Sequence, residues 1–262
     1  NYASELLTHL GAHGMASVFQ QRAADLRGIL NGCDYQDWDP AFDPLLPATY
    51  DADNLDGKHT CKRILQQETG LPVGNLPIYG MVCRLTEQKG VHLLIPALDK
   101  FLQHQVQVVI VGSGDPSLAA QLQSIAQQHP DKFAFINAYD DRLAHLVEAG
   151  ADFFLMPSLF EPCGLNQMYS LAYGTLPLVR AVGGLKDTVV DWDADPTHAT
   201  GFCFNDPTAS TLLDAMRRSL LHYLQEPARF ARVQHHAMNT RFDWADSVIL
   251  YEQMYQDALA TV

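Results

Sequence analysis

The sequence is short of positive charge, of paired cysteines and of long apolar runs, and each shortage closes off a class of function. Among 262 residues, 17 Lys and Arg stand against 30 Asp and Glu, a net charge of −13. A surface that acidic repels phosphate backbones and anionic lipid. Neither nucleic acid nor a membrane is an expected partner. No segment approaches the roughly 18 uninterrupted apolar residues of a membrane-spanning helix. The five cysteines, Cys33, Cys61, Cys83, Cys163 and Cys203, form no Cys-x-x-Cys pair. A zinc ribbon and a disulfide scaffold are thereby excluded, and reduced thiols in a cytoplasmic setting are expected. His235 and His236 are adjacent and point to different sides of any helix, so no metal is expected there. Neither a Gly-x-Ser-x-Gly elbow nor a Walker phosphate loop occurs.

What is present describes a folded chain, with 47% hydrophobic and 18% charged residues. From residue 77 onward, short β-branched or aromatic runs alternate with longer amphipathic stretches. The runs Ile78–Cys83, Val106–Val111, Phe133–Ile136, Asp152–Met156 and Leu176–Val179 read as buried strands. Leu118, Leu122, Ile125 and Ala126 share one helical face, and Leu143–Ala149 forms another helix with Gly150 as its stop. This alternation predicts an α/β fold, a Rossmann-like doubly wound parallel sheet with helices on both faces. Residues 1–30 carry a helical pattern and residues 34–56 a Pro- and Asp-rich irregular one, whose Trp38, Phe42 and Tyr50 are expected to pack on the domain. Lys58–Thr69 is a further helix ended by Gly70. In the tail, Leu212, Leu213, Met216, Leu220 and Leu224 form one apolar stripe; Trp244, Val248, Tyr251, Tyr255 and Leu259 form another.

Ligands of open parallel sheets bind beyond the carboxyl ends of the strands, and five such positions carry chemistry. Arg84 and Lys89 follow the first strand and place two cations near a helix start, a plausible diphosphate clamp. Gly112-Ser-Gly114 follows the second, but Pro116 and Ser117 break the dinucleotide fingerprint. Tyr139 follows the third, where a ring can stack on a nucleobase or pack in the core. Glu161 follows the fourth, fixed by Pro162 and suited to gripping a sugar or stabilising positive charge. Gly183 and Gly184 follow the fifth as a second phosphate nest. The Asp-x-Asp runs at Asp37, Asp51, Asp191 and Asp193 match a pattern that holds divalent metal in some glycosyltransferases, but none ends a convincing strand.

These segments also occur together in a recognisable order. Gly28-Ile-Leu-Asn-Gly-Cys-Asp34 with Trp38-Asp-Pro40, Arg84-Leu-Thr-Glu-Gln-Lys-Gly90, Gly112-Ser-Gly-Asp-Pro116, Phe160-Glu-Pro-Cys-Gly-Leu165, Tyr173-Gly-Thr-Leu-Pro-Leu-Val179 and Gly183-Gly-Leu-Lys-Asp-Thr188 resemble the bacterial glycogen synthases and plant starch synthases over nearly the whole chain. The resemblance implies the C-terminal, donor-nucleotide half of a two-domain GT-B fold. Residues 1–30 are then a remnant of the N-terminal domain and the crossover, 31–243 the nucleotide-sugar domain, and 244–262 a helix that packs on the missing N-terminal half. It further implies retaining transfer of glucose from ADP-glucose to the non-reducing end of an α-1,4-glucan, bound through that missing half, in the cytoplasm or, in a plant, the plastid. Carried over by residue, Arg84 and Lys89 neutralise the diphosphate, so no metal or other cofactor is required. Gly183, Gly184 and Leu185 cradle the distal phosphate, Tyr139 stacks on adenine, and Glu161 with Cys163, Gly164 and Leu165 holds the glucose. Val182 and Asn166 stand where the family often has Thr. Two alternatives remain: a nucleotide-binding module without activity on its own, and another GT-B enzyme using UDP-glucose.

Overall fold

In the computed structural model, residues 1–9, 11–12 and 14–260 are described. Two members of the expected 1–30 segment, residues 10 and 13, and the last two of the expected 244–262 helix lie outside the described residues. Six strands, β1 (Ile78–Val82), β2 (Gln107–Val111), β3 (Phe133–Ile136), β4 (Phe153–Met156), β5 (Leu176–Arg180) and β6 (Phe202–Phe204), form one sheet in the order β3-β2-β1-β4-β5-β6. Every neighbouring pair is parallel. This is the doubly wound order, and it reverses direction between β1 and β4, which opens a crevice at their carboxyl ends. The strands read as near-continuous apolar runs because helices cover both faces.

Eleven helices surround this sheet among the described residues: α1 (Tyr2–Glu5), α2 (Ala16–Gln21), α3 (Asp56–Glu68), α4 (Val91–Phe101), α5 (Pro116–Gln128), α6 (Asp141–Gly150), α7 (Asn166–Ala172), α8 (Gly183–Thr188), α9 (Ala209–Gln225), α10 (Pro227–Met238) and α11 (Trp244–Ala260). One apolar cluster joins the sheet to α4, α5 and α9; the other joins it to α3, α6 and α7. Phe153 on β4 anchors the first. Its ring stacks on Tyr79 at 4.5 Å and meets Phe202 and Phe230 edge-on at 5.9 and 5.5 Å.

Several local features depart from the sequence pattern. Among the described residues of 1–30 only α1 and α2 form, two short helices instead of a continuous helical pattern. Gly150 is the last residue of α6 and not a left-handed stop. It is glycine because a Cβ there meets the Cys61 carbonyl and Leu65 of α3 at 3.0 Å. Trp38 and Tyr50 pack on the domain as expected, whereas Phe42 is 79% exposed. Leu224 likewise leaves the α9 stripe for solvent. Trp244, Val248, Tyr255 and Leu259 of the α11 stripe are exposed as well, on a helix expected to pack outside this chain. β6 lies outside the strands expected from sequence, its three residues being too few for a periodicity.

The packed centre and the exposed loop differ in energetic weight. Phe153→Ala opens a cavity in the packed centre and is expected to cost about 3–5 kcal/mol, while Phe42→Ala stays within about 0.5 kcal/mol. Denaturant midpoints of the two variants check this contrast.

Candidate functional site

The glutamate expected at the fourth strand lies directly opposite the lysine expected at the first. Beyond β1 the chain makes a 3-10 turn over Glu87–Lys89 and enters α4 through Gly90. Beyond β4 it runs along that turn, with the Leu159 amide donating to the Gln88 carbonyl at 2.8 Å. The two loops are therefore stitched together across the point where the strand order reverses. Lys89 Nζ donates to Glu161 Oε2 at 2.5 Å, and Ser158 Oγ donates to the same oxygen at 3.2 Å. Glu161 is only 6% exposed, so its charge is sustained by these two donors and not by bulk water.

The main chain around Glu161 is as tightly held as its carboxylate. The Gly184 amide donates to the Glu161 carbonyl at 3.0 Å. Gly183 has φ +44° and presses so close that a Cβ there sits 1.9 Å from that same carbonyl. Arg180, at the end of β5, donates to the Leu159 carbonyl at 2.6 Å and to the Asn205 carbonyl at 3.0 Å. Gln167 donates from Nε2 to the Cys163 and Gly164 carbonyls and to Thr188 Oγ1, each at 3.1 Å, which ties the turn before α7 to α8.

The phosphate nest expected at the fifth strand is filled by the protein itself. The Gly183 amide donates to Glu5 Oε1 at 2.7 Å, the Gly184 amide to Glu161, and the Leu185 amide to the Val182 carbonyl at 3.0 Å. Glu5 arrives on α1, which is moored to α8 by the terminal amine of Asn1 on Asp187 at 2.9 Å. By contrast, Gly164, Leu165 and Asn166 at the entry to α7 show no amide hydrogen bond to another described residue. Leu165 is 36% exposed there.

A cavity of 250 Å3 opens at the carboxyl ends of β1, β2 and β3, lined by Trp38, Arg84, Gly112, Tyr139, Asn166 and Tyr169 among others. Arg84 and Tyr139 are therefore brought to one pocket, and Tyr139 is 87% exposed at its rim, with its ring free to stack. Asp140 behind it caps α6, accepting from the Leu143 amide at 2.8 Å. Lys89 is held by Glu161 and is not among the groups lining this pocket. Cys163 also lies elsewhere, on a 320 Å3 cavity with Asn1, Arg27, Asn31, Asp187 and Tyr251. A larger cavity of 590 Å3, bordered by Glu5, Gln88, Phe160 and Arg180, adjoins the same two loops.

Sequence reasoning expected Trp38 to pack on the domain but did not place it, Tyr169, Ser158 or Glu5 at the site. Trp38 stacks on Tyr169 at 4.2 Å and on His145 at 3.6 Å. His145 in turn bonds through Nδ1 to the buried Asp43 at 2.7 Å, and Tyr173 donates to that carboxylate at 2.6 Å. Burial acts to raise the Asp43 carboxyl, but the bonds from His145 and Tyr173 outweigh it and hold it below its ordinary value. The available signals were modest: Tyr169 lies three residues after Asn166, and Ser158 three before Glu161.

The Asp-x-Asp aspartates have other duties. Arg218 grips Asp191 at 2.6 Å and also pairs with Asp193. Arg241 pairs with Asp39, and Asp51 accepts from the amides of Asp53 and Asn54. Among the described residues no group of three or more His, Cys, Asp or Glu is placed to hold a metal ion. No described helix is long and apolar enough to cross a membrane. All five cysteines are free thiols, and burial pushes Cys33, Cys83 and Cys203 up to about 12.

The fold and this crevice define a Rossmann-like domain with a pocket beside its topological switch point. Residues 63–233 match the family described as glycosyl transferases group 1, and the chain belongs to that family. It is 87% identical over 260 residues to a glycogen synthase of Aeromonas hydrophila subsp. hydrophila, covering 99% of this chain and 54% of that protein. It is 60% identical over 261 residues to a glycogen synthase of Vibrio parahaemolyticus, covering 98% and 54% respectively. Among solved structures it is similar to the catalytic domain of Starch Synthase IV from Arabidopsis thaliana bound to ADP and acarbose. That match has a TM-score of 0.93 at 35% identity and covers 99% of this chain and 54% of that one. The chain thus spans about half the length of the curated relatives it matches.

Gly183 offers a direct check of the geometry. Gly70 has φ +74° with nothing within 4 Å of an added Cβ, so Gly70→Ala is expected to cost about 1–2 kcal/mol from its left-handed backbone alone. Gly183→Ala carries a backbone clash as well and is expected to cost more. Urea denaturation of the two variants gives the order, and equal losses contradict the close approach.

Proposed function

We propose that the chain is the donor-nucleotide half of a glycogen synthase, which transfers glucose from ADP-glucose to the non-reducing end of an α-1,4-glucan with retention of configuration. The observation that carries this reading is the Lys89–Glu161 pair at the β1/β4 switch point, beside a pocket that holds Arg84, Tyr139 and Asn166. The names of the Aeromonas and Vibrio relatives support the reaction, and the ADP bound by the Arabidopsis structure supports the choice of donor.

In this reading the nucleotide enters the 250 Å3 pocket with its base on Tyr139 and its diphosphate toward Arg84. Lys89 turns from Glu161 toward the phosphates as they arrive, and the distal phosphate takes over the Gly183 amide from Glu5. The amides near Gly184 and Leu185 complete that contact. Glu161, with the backbone at Cys163, Gly164 and Leu165, holds the glucose and stabilises positive charge that develops at the anomeric carbon. Arg84 and Lys89 supply the positive charge that offsets the leaving diphosphate, and the reaction as proposed needs no metal or other cofactor. The acceptor glucan is bound by the N-terminal half of the enzyme, outside this chain, and the compartment is the cytoplasm. The exposed apolar side chains of α11, including Val248, Ile249, Leu250 and Tyr255, pack on that half.

Calorimetric titration of the chain with ADP and UDP tests the donor. ADP is expected to bind, UDP to bind more weakly, and Arg84→Ala to weaken ADP by roughly 10- to 100-fold, the worth of one charge-assisted hydrogen bond. A preference for UDP contradicts the donor assignment. The 262 residues alone are expected not to lengthen a labelled glucan, and extension by them contradicts the assignment of the acceptor to the other half.

A further inference from the structure

Behind the donor pocket lies a buried carboxyl group that the proposed reaction does not use. Glu148 on α6 is fully buried, and no cation lies within ion-pairing distance of it among the described residues. Its Oε1 has no hydrogen-bond partner, while its Oε2 lies 2.7 Å from Ser170 Oγ on α7. Ser170 Oγ lies equally close, 2.7 Å, to the carbonyl of Asn166 one turn earlier. A serine hydroxyl has one hydrogen and here has two acceptor oxygens at bonding distance. An ionised Glu148 leaves one of those contacts without a proton. A neutral one supplies it.

We propose that Glu148 is a positioning residue of the donor pocket. As a neutral carboxylic acid it donates from Oε2 to Ser170 Oγ, Ser170 donates to the Asn166 carbonyl, and this chain sets the turn of α7 that carries Asn166 and Tyr169 into the pocket. The inference rests on the donor reading of that pocket. Both residues line it, and Tyr169 also carries the stack on Trp38. Ser170 bonds its own helix on one side and Glu148 on the other, and the Asn166 side chain also bonds Glu148, so the carboxyl group holds both ends of this turn.

The surroundings favour the neutral acid. Burial raises the Glu148 carboxyl to about 8, outweighing the bonds to Ser170 and Asn166 and the charge of Lys58, which act to lower it. The groups that face it are Lys58 from α3, Tyr50 from the stretch before α3, and Tyr169 and Tyr173 from α7 and its C-terminal cap. The three tyrosines are raised above their ordinary value, chiefly by burial, and stay neutral. Lys58 is lowered by burial to about 8, but its ammonium donates to the Ala149 and Tyr173 carbonyls and to Thr175 Oγ1 at 2.7–3.0 Å. With three acceptors satisfied, Lys58 keeps its proton, and Glu148, with an oxygen unpartnered, is the neutral member. Because the folded chain then holds a proton that the unfolded chain releases at the ordinary carboxylate value, Glu148 lowers stability steadily as pH rises from about 4.5 to about 8.

The test is ADP titration of the 262-residue chain between pH 7 and 9, with infrared detection of protonated carboxyl. Wild type is expected to show a carboxylic acid band at pH 7 and a dissociation constant that rises about tenfold by pH 9. Glu148→Gln, whose amide can donate to Ser170, is expected to remove both the band and the pH dependence. Glu148→Ala, which cannot donate, is expected to weaken ADP at pH 7, and Gln at the same position to restore binding. An alkaline decline that survives in Glu148→Gln overturns the inference and points to Lys58, as does a wild type with a flat profile and no acid band. Absence of ADP binding at every pH overturns the donor reading, and this inference with it.

Discussion

Everything proposed for this domain depends on how two loops meet across the gap between β1 and β4. The sheet reverses its strand order there, so the loop after β1 and the loop after β4 leave in different directions and share a crevice. Lys89 and Glu161 close that crevice with an ion pair in which Glu161 is nearly buried. A carboxylate in that position is costly without its partner, because removing one member of a buried pair leaves an uncompensated charge. The surrounding bonds, from Ser158, Gly184 and the Gln88–Leu159 main chain, keep the pair in register. The lysine is therefore a structural partner of the glutamate before any ligand arrives. In the proposed function an incoming diphosphate would compete with Glu161 for it.

The same economy of positive charge marks the whole site. A chain with a net charge of −13 has no general field to attract an anion, so recognition falls to local groups. Arg84 stands at the pocket in no ion pair among the described residues, while Arg218 and Arg241 are spent on the Asp-x-Asp loops. Glu5 on the Gly183 amide belongs to this pattern. It is an internal anion on a backbone donor, and in the proposed function its removal would be part of the cost of ligand entry.

How far the molecule could be read from its sequence follows from the distance over which each feature acts. The first five strands were legible because parallel strands buried on both faces are uninterrupted apolar runs. β6 was not, because three residues between Gly201 and Asn205 carry no period. The clustering of Arg84, Tyr139, Glu161 and Gly183 along one sheet edge followed from the topology alone. What those groups touch did not. Glu5 lies 178 residues from Gly183, and Asp43 lies 102 from His145, so their contacts exist only once the chain is folded. Gly150 shows a subtler failure. A glycine at a helix end reads as a left-handed stop, yet here it is required by the approach of α3. The stripe on α11 shows the converse: its spacing is helical, and α11 is a helix, yet Trp244, Val248, Tyr255 and Leu259 are exposed.

The central claim is that the crevice at the carboxyl ends of β1 to β4 is the nucleotide site, and residue-resolved NMR during ADP titration tests it most directly. The account predicts that amide shifts concentrate at Arg84, Lys89, Gly112, Tyr139 and Gly164 to Tyr169, with little change along α11. Shifts centred instead on the cavity shared by Asn1, Arg27 and Tyr251, with the β1 and β4 loops unmoved, would contradict it.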